Sequence, residues 1–206
     1  MRRIAAIAIL LPIAMNASSA QARDVKAIEP LTFAVGQPLR ITGLDLAIAP
    51  KMEEDVAESD AKAARKRADA GLPPLDANSY PTGLDGGDYA TMPFRQMFPL
   101  IIRQVARDWR LDEGRPVFLR IRIDRLQTAD AALAILIASS DTLDGRVDVI
   151  DAVSGASLGA FQVRIDKMQS GWASMIVRGG GIREKMAEQF ALAVARHMTG
   201  RKFMAG

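Results

Sequence analysis

Apolar residues recur at helical spacing in two parts of the chain and predict two amphipathic helices. The first stripe covers residues 94–109, and the second covers residues 182–198, with charged residues on the opposite side of each. Pro99 lies within the first stripe and has no backbone donor, so a kink or a restart is expected near Phe98. Gly200 is a typical stop signal for the second helix.

The spacing of apolar positions predicts four strands. In the first strand, apolar groups occupy both faces after Thr42. This pattern predicts a place inside a sheet rather than at its edge. The predicted strands cover residues 39–48, 116–126, 147–150 and 161–165.

The last two predicted strands are joined by a turn, and together they predict a hairpin. Gly155 is suited to a left-handed position after a type I turn, and Asp151 is expected to supply turn chemistry. The odd length of the connection brings Val147 and Phe161 to the same face, as burial requires.

Three stretches depart from these patterns. Residues 51–92 combine a charged, alanine-rich segment, suited to a solvated helix, with closely spaced prolines and glycines. They predict an insertion that leaves the core and is mobile in part. Residues 169–181 form a second flexible stretch, which ends in three glycines. Residues 131–138 are apolar without a clear period, and both a short helix and a buried strand remain open.

The order of elements predicts an α+β fold in two layers. A mostly antiparallel sheet of about four strands, with two amphipathic helices on one face, would bury both helical stripes. The 206 residues fit one domain, from residue 23 to residue 206, with the insertion at about 51–92.

The amino terminus predicts a secretory signal peptide. Arg2 and Arg3 precede twelve uncharged residues, and a small-x-small motif at residues 20–22 predicts cleavage near Ala22. A membrane-spanning helix needs about 20 apolar residues, so we expect no transmembrane span in the mature chain. The chain contains no cysteine, which excludes a lipoprotein-type lipid anchor and a disulfide. The predicted location is the periplasm or the medium.

Composition further restricts the partners and cofactors that the sequence predicts. The formal charge is +3, but removal of the two signal-peptide arginines leaves 25 basic against 24 acidic residues. The basic run at residues 62–67 has no interleaved aromatic residues and follows an acidic run, so no nucleic-acid partner is predicted. We identify no metal site and no cofactor motif, since the glycines at 179–181 lack the lysine and hydroxyl residue of a phosphate loop.

The candidate catalytic residues have simpler explanations. His197, the single histidine, lies near a helix end, where a surface position and the helix dipole account for it. Asp124, Asp148 and Asp166 alternate with arginines on predicted strands, so cross-strand ion pairs on a polar sheet face account for them. No catalytic residue is therefore assigned.

A candidate interaction loop precedes the last helix. Trp172, Met175 and Ile176 are apolar groups in a segment flanked by glycines. Packing onto the core accounts for them, whereas exposure would give a patch for a partner protein or a membrane.

Residues 116–203 resemble small exported proteobacterial proteins and lipoproteins of uncharacterised families. The resemblance rests on the hairpin motif at residues 147–159, Val-x-Val-x-Asp-x-x-Ser-Gly-x-x-Leu-Gly, followed by a glycine-rich loop and an amphipathic last helix. Such families are similar in layout to the amino-terminal domain of TolB. The resemblance implies an envelope-associated, non-catalytic protein and supplies no site residues.

The sequence thus favours a non-enzymatic periplasmic module that binds an envelope protein partner. The binding surface would be a sheet edge, the 51–92 insertion or the 168–181 loop. Two alternatives stay open: an exported hydrolase with an acidic site built from Asp124, Asp148 or Asp166, and a carrier of an apolar ligand between sheet and helices.

Overall fold

A mixed β-sheet and three α-helices make up the part of the chain that the computed structural model describes, residues 25–34, 36–73, 91–127, 141–167 and 182–201. One turn of 3₁₀ helix, Pro50–Met52, leads into the first α-helix. The strands are β1 (Val25–Glu29), β2 (Leu39–Ile48), β3 (Arg115–Gln127), β4 (Asp141–Asp151) and β5 (Ser157–Lys167). The helices are α1 (Glu53–Asp69), α2 (Phe94–Asp108) and α3 (Ile182–Thr199).

The order of strands across the sheet is β1-β5-β4-β3-β2. β2 pairs with β3 in parallel, whereas the other neighbouring strands are antiparallel. A parallel pair needs a long crossover, and α1 and α2 lie within it. The predicted α+β class is confirmed, although the described sheet has five strands rather than about four, and three helices accompany it rather than two.

β1 and α1 account for the difference in number. β1 lies before the first predicted strand. Most of its residues are exposed, and it pairs with β5 through Val25 opposite Val163. α1 lies in the predicted insertion and is the solvated helix expected there, since only Val56 and Ala63 are buried along it. Short or largely exposed elements carry too few apolar residues to stand out in the sequence.

The core lies between one face of the sheet and the helices α2 and α3. Along β3, Val117, Leu119 and Ile121 are fully buried, whereas Arg120 and Arg122 are exposed on the opposite face. The apolar stripes of both helices belong to the same buried cluster. The other face of the sheet is polar and is called the open face below.

Aromatic side chains join the two core helices. The ring of Phe98 on α2 lies 5.3 Å from Phe94 and 5.3 Å from Phe190 of α3, the latter in an edge-on arrangement. Pro99 follows directly and is buried within one continuous helix. The restart that the sequence suggested near Phe98 therefore does not occur.

The prediction that β2 lies inside the sheet is wrong, because β2 is the edge strand of the described sheet. The sequence pattern misled because β2 contains a β-bulge at Thr42. Ile41 pairs with Val117 and Gly43 pairs with Phe118, which leaves Thr42 as the extra residue. The Thr42 hydroxyl donates a hydrogen bond to the Val117 carbonyl oxygen at 3.0 Å. A bulge shifts the alternation of inward and outward side chains by one residue. Apolar residues that are out of phase before and after Thr42 in the sequence therefore face the same core.

The hairpin between β4 and β5 is confirmed. Val147 pairs with Phe161 on the buried face, and Gly155 has a φ of 73°, as the turn requires. The Asp151 carboxylate accepts hydrogen bonds from the backbone amides of Val153 and Ser154 at 3.0 and 2.9 Å. The ambiguous segment 131–138 and the predicted signal peptide lie outside the described residues.

Candidate functional site

The predicted interaction loop lies outside the described residues. Trp172, Met175 and Ile176, together with the glycines at 179–181, fall between the end of β5 and the start of α3. The prediction that this loop binds a partner therefore stays a prediction.

The open face of the sheet carries three ion pairs with one shared geometry. On each of three adjacent strands, an arginine Nε donates to an oxygen of the aspartate two residues later, at 2.8 Å. Residues i and i+2 of a strand point to the same side, which brings the two groups together. The pairs are Arg122–Asp124, Arg146–Asp148 and Arg164–Asp166.

The predicted arginine–aspartate ion pairs on a polar sheet face are found, but the hydrogen-bonded pairs run along each strand rather than across the strands. For Arg122 the register explains the difference, because it lies opposite Arg146 and like charges face each other across the two strands. Asp148 faces Arg120, and Asp166 accepts a hydrogen bond from Thr142 at 3.2 Å.

The three aspartates are not gathered into one acidic site. They lie on three different strands, and each is held by its own arginine. Asp124 is linked instead to Asp144, because the Gln162 side-chain amide donates to both carboxylates.

His197 is half-buried rather than at the surface. Its ring lies 4.4 Å from the ring of Phe161, measured between centroids, because the last turn of α3 packs on β5. Burial lowers the pKa of His197 below its usual value, since the charged imidazolium loses hydration. The surface position predicted from the sequence is therefore wrong.

A polar cluster that the sequence did not suggest joins the three helices. The Asp60 carboxylate of α1 accepts a hydrogen bond from the backbone amide of Phe94. The Arg183 guanidinium of α3 donates to the Met92 carbonyl oxygen at 2.7 Å and to the Ser59 hydroxyl at 3.1 Å. Burial raises the pKa of Asp60. The cluster satisfies its own groups and fixes how the helices pack.

A cleft of about 240 Å³ opens between the start of β2 and the second half of α2. Residues 41–43 form the strand side, and Arg103, Ala106 and Arg107 form the helix side. Residues 111–112, just after the helix, complete the wall. The two arginines are one helical turn apart and so lie on the same face of α2.

The end of α2 carries a further arginine, Arg110, which is not among the residues that line the cleft. The Leu111 amide donates to the Ala106 carbonyl oxygen at 2.7 Å, and the Arg110 amide donates to that of Arg107 at 3.0 Å. This is the Schellman arrangement, in which glycine normally takes the left-handed position. Here Arg110 takes it with a φ of 55°, the one positive φ of a non-glycine residue in the described ranges.

The chain after α2 covers only the beginning of the outer edge of β2. The Ile41 amide donates to the Leu111 carbonyl oxygen at 2.9 Å, and Arg40 forms an isolated antiparallel bridge with Asp112. No described residue pairs with the outer edge of residues 42–48. The cleft thus lies where the covered part of this edge ends.

The sequence contained a signal for this site that the helix prediction passed over. Arg103 and Arg107 are four residues apart, which places them along one side of a helix. These arginines lie beside β2 because β2 is at the edge of the described sheet. The pattern of apolar and polar residues did not predict that edge position.

Neither a metal cluster nor a membrane-spanning helix is found within the described ranges. No three histidine, aspartate or glutamate side chains there are grouped so that they could hold a metal ion. None of the described helices is both long and apolar enough to cross a membrane.

Comparisons by sequence find no match, neither to a family model nor to a curated protein. Solved structures with a similar layout include the PelC dodecamer from Paraburkholderia phytofirmans, with 10% identity and a TM-score of 0.37, covering 82% of this chain and 96% of that one. A Xanthomonas campestris protein of family DUF330 has 10% identity and a TM-score of 0.38, covering 81% and 82%.

A lipoprotein-type protein from Caulobacter crescentus has 19% identity and a TM-score of 0.29, covering 50% of this chain and 81% of that one. The structural neighbours therefore include DUF330 and lipoprotein-type proteins. All of these TM-scores are below 0.5, so the likenesses carry no inference about assembly or function.

Proposed function

We propose that this protein is a non-enzymatic interaction module of the bacterial cell envelope, which works in the periplasm after removal of residues 1–22. The signal-peptide pattern supports export. The three aspartates considered for a hydrolase are separated on the open face and paired with arginines, which supports binding rather than catalysis.

The observation that carries the proposal is the outer edge of β2. Residues 42–48 have no strand partner in the described sheet, and a cleft with Arg103 and Arg107 on its wall lies beside them. An unpaired edge presents backbone donors and acceptors to a partner, and folded proteins usually cover or blunt such edges. A partner strand seated here would pair with the backbone of residues 42–48.

Photo-crosslinking in living cells tests the proposal. Benzoylphenylalanine is introduced into the full chain at position 42 in the cleft, at position 62 on α1 or at position 164 on the open face. We expect a discrete adduct with one envelope protein from position 42, identified by mass spectrometry. Fractionation of the same cells should recover the protein in the periplasm with its first residue at Arg23.

The three positions separate the possible outcomes. Adducts from position 62 alone would move the interaction surface to α1, and adducts from position 164 alone would move it to the open face. Both outcomes would reject the β2 edge as the carrier of the function. A cytoplasmic protein, or one without an adduct at any position, would overturn the proposal as a whole.

A further inference from the structure

Both edges of the described sheet can accept a further strand. β2 forms one edge and β1 forms the other, and no described residue pairs with the outer side of β1 or of residues 42–48. β1 runs antiparallel to β2, because β2 is parallel to β3 and every other neighbouring pair is antiparallel. A second copy that continues the sheet past β2, with its core on the same side, would therefore add its β1 as an antiparallel strand.

The core-facing side of each edge strand carries apolar side chains that the chain covers only in part. Leu44 and Leu46 face the core on β2 and are half-buried. Val25 is half-buried on the same side of β1, and Ala27 beside it is exposed. Pairing of the two edges would bring these side chains together and continue the core across the contact.

The open-face side of the two edge strands carries opposite charges. Lys26 is exposed on β1, and Asp45 is exposed on β2. Asp45 lies across from Arg120 without forming an ion pair with it. Among the described residues, neither Lys26 nor Asp45 has an ion pair or a side-chain hydrogen bond. Opposite charges directly across an antiparallel pair stabilise it, whereas like charges destabilise it.

One register satisfies both sides of the strands at once. When Asp45 lies opposite Lys26 of a second copy, Leu44 lies opposite its Ala27 and Leu46 opposite its Val25. A symmetric contact between two β2 strands has no such match, because Asp45 is the single charged residue in positions 42–48. The charges therefore favour β1 of a second copy as the strand that pairs with β2.

From this match we infer that copies of the protein associate head to tail, with β1 of one copy paired to the β2 edge of the next. The inference rests on the proposed function, because it names a second copy as the partner at that edge. Each contact leaves one free edge on either side of the pair. Association therefore continues until a ring closes or a filament grows.

Disulfide trapping tests the pairing, since the chain has no cysteine of its own. Variants of the full chain are expressed, purified under reducing conditions and oxidised with copper phenanthroline. We expect K26C/D45C to give a ladder of linked species on a non-reducing gel. The matched control D45C/K66C, with its second cysteine on the exposed side of α1, should give no ladder. A mixture of the single variants K26C and D45C should give a dimer, and each alone should not.

Charge reversal tests the same contact without a covalent bond. K26D and D45K each place like charges across the strands and should weaken association about fivefold, as measured by sedimentation velocity over a range of concentrations. The double variant K26D/D45K restores opposite charges and should return association to within about twofold of the native protein. Circular dichroism and the unfolding midpoint show that each variant is folded.

Several results would overturn the inference. A native protein that is monomeric at all concentrations would do so, and so would equal ladders from K26C/D45C and D45C/K66C, which would indicate random collision. A dimer from D45C alone would indicate a symmetric contact instead. No recovery in K26D/D45K would remove the Lys26–Asp45 pair. An adduct from position 42 with a different envelope protein, and none with a second copy, would leave the proposed function standing and reject only self-association.

Discussion

Asp60 on α1 accepts a hydrogen bond from the backbone amide of Phe94, the first residue of α2, at 2.5 Å. The residue before Phe94 is Pro93, which has no side-chain oxygen to cap the helix. The cap of α2 is therefore supplied by a different helix, 34 residues earlier in the chain. The packing of α1 and the start of α2 are coupled through this one carboxylate.

Removal of this carboxylate should destabilise the protein. D60A loses the acceptor of the Phe94 amide, and caps of this kind contribute about 1 kcal/mol. D60N keeps an oxygen acceptor and should lose less. The free energy of unfolding in urea measures both variants, with D69A at the exposed end of α1 as a control that should change little. Equal losses for D60A and D69A would contradict the capping role.

The ionisation of His197 should make stability depend on pH. Its pKa is lowered by burial, so the folded protein binds the proton less well than the unfolded chain. Its contribution is fully present above the unfolded pKa of about 6.5. As the pH falls below that value, stability decreases until the lowered folded pKa is passed.

H197Q carries no titrating ring. The unfolding free energy of the native protein, relative to that of H197Q, should therefore decrease as the pH is lowered from 7.5 to 5. Urea titrations at several pH values measure it. A difference that does not change with pH would show that the ring of His197 is hydrated in the folded state.

Gly43 should not tolerate a side chain. A Cβ at this position would lie 2.8 Å from two ring atoms of Phe118, which is directly opposite it on β3. G43A should therefore cost about 1–3 kcal/mol, the usual range for overpacking. In a double-mutant cycle, F118L should recover part of the loss by making room. Additive effects of the two substitutions would contradict this contact.

The left-handed backbone at Arg110 should lower the stability of the protein. R110G relieves the left-handed backbone and should raise the unfolding free energy by about 0.5–1 kcal/mol. The reverse change at the corresponding end of α3, G200R, where Gly200 has a φ of 65°, should lower it by a similar amount. An R110G variant that is no more stable than the native protein would contradict the cost of the left-handed backbone at Arg110.

The hairpin could be predicted from the sequence because its determinants are local. Gly155 and Asp151 lie in one turn. The alternation of apolar and polar residues on the two strands predicts that Val147 and Phe161 share one face. Both core helices were also visible, since each stripe extends over several turns. In these elements, sequence pattern and tertiary burial agree.

The site could not be predicted in the same way, because it depends on two non-local events. The bulge at Thr42 shifts the alternation of β2, so a strand at the edge carries the pattern of an internal one. The arginines on α2 have helical spacing, but nothing in that spacing shows that the helix ends beside β2. The same limit applies to the aspartates, whose partners depend on register.

The parallel pairing of β2 with β3 has a consequence for when the candidate site comes into existence. β3, β4 and β5 are consecutive and antiparallel, so their contacts close short loops. Leu39 pairs with Arg115 only after the intervening chain, which contains α1 and α2, has folded back onto the sheet. Contacts between distant residues form slowly. The strand that carries the cleft is therefore expected to join the sheet late, so a partner that recognises this edge would distinguish the completed fold from its precursors.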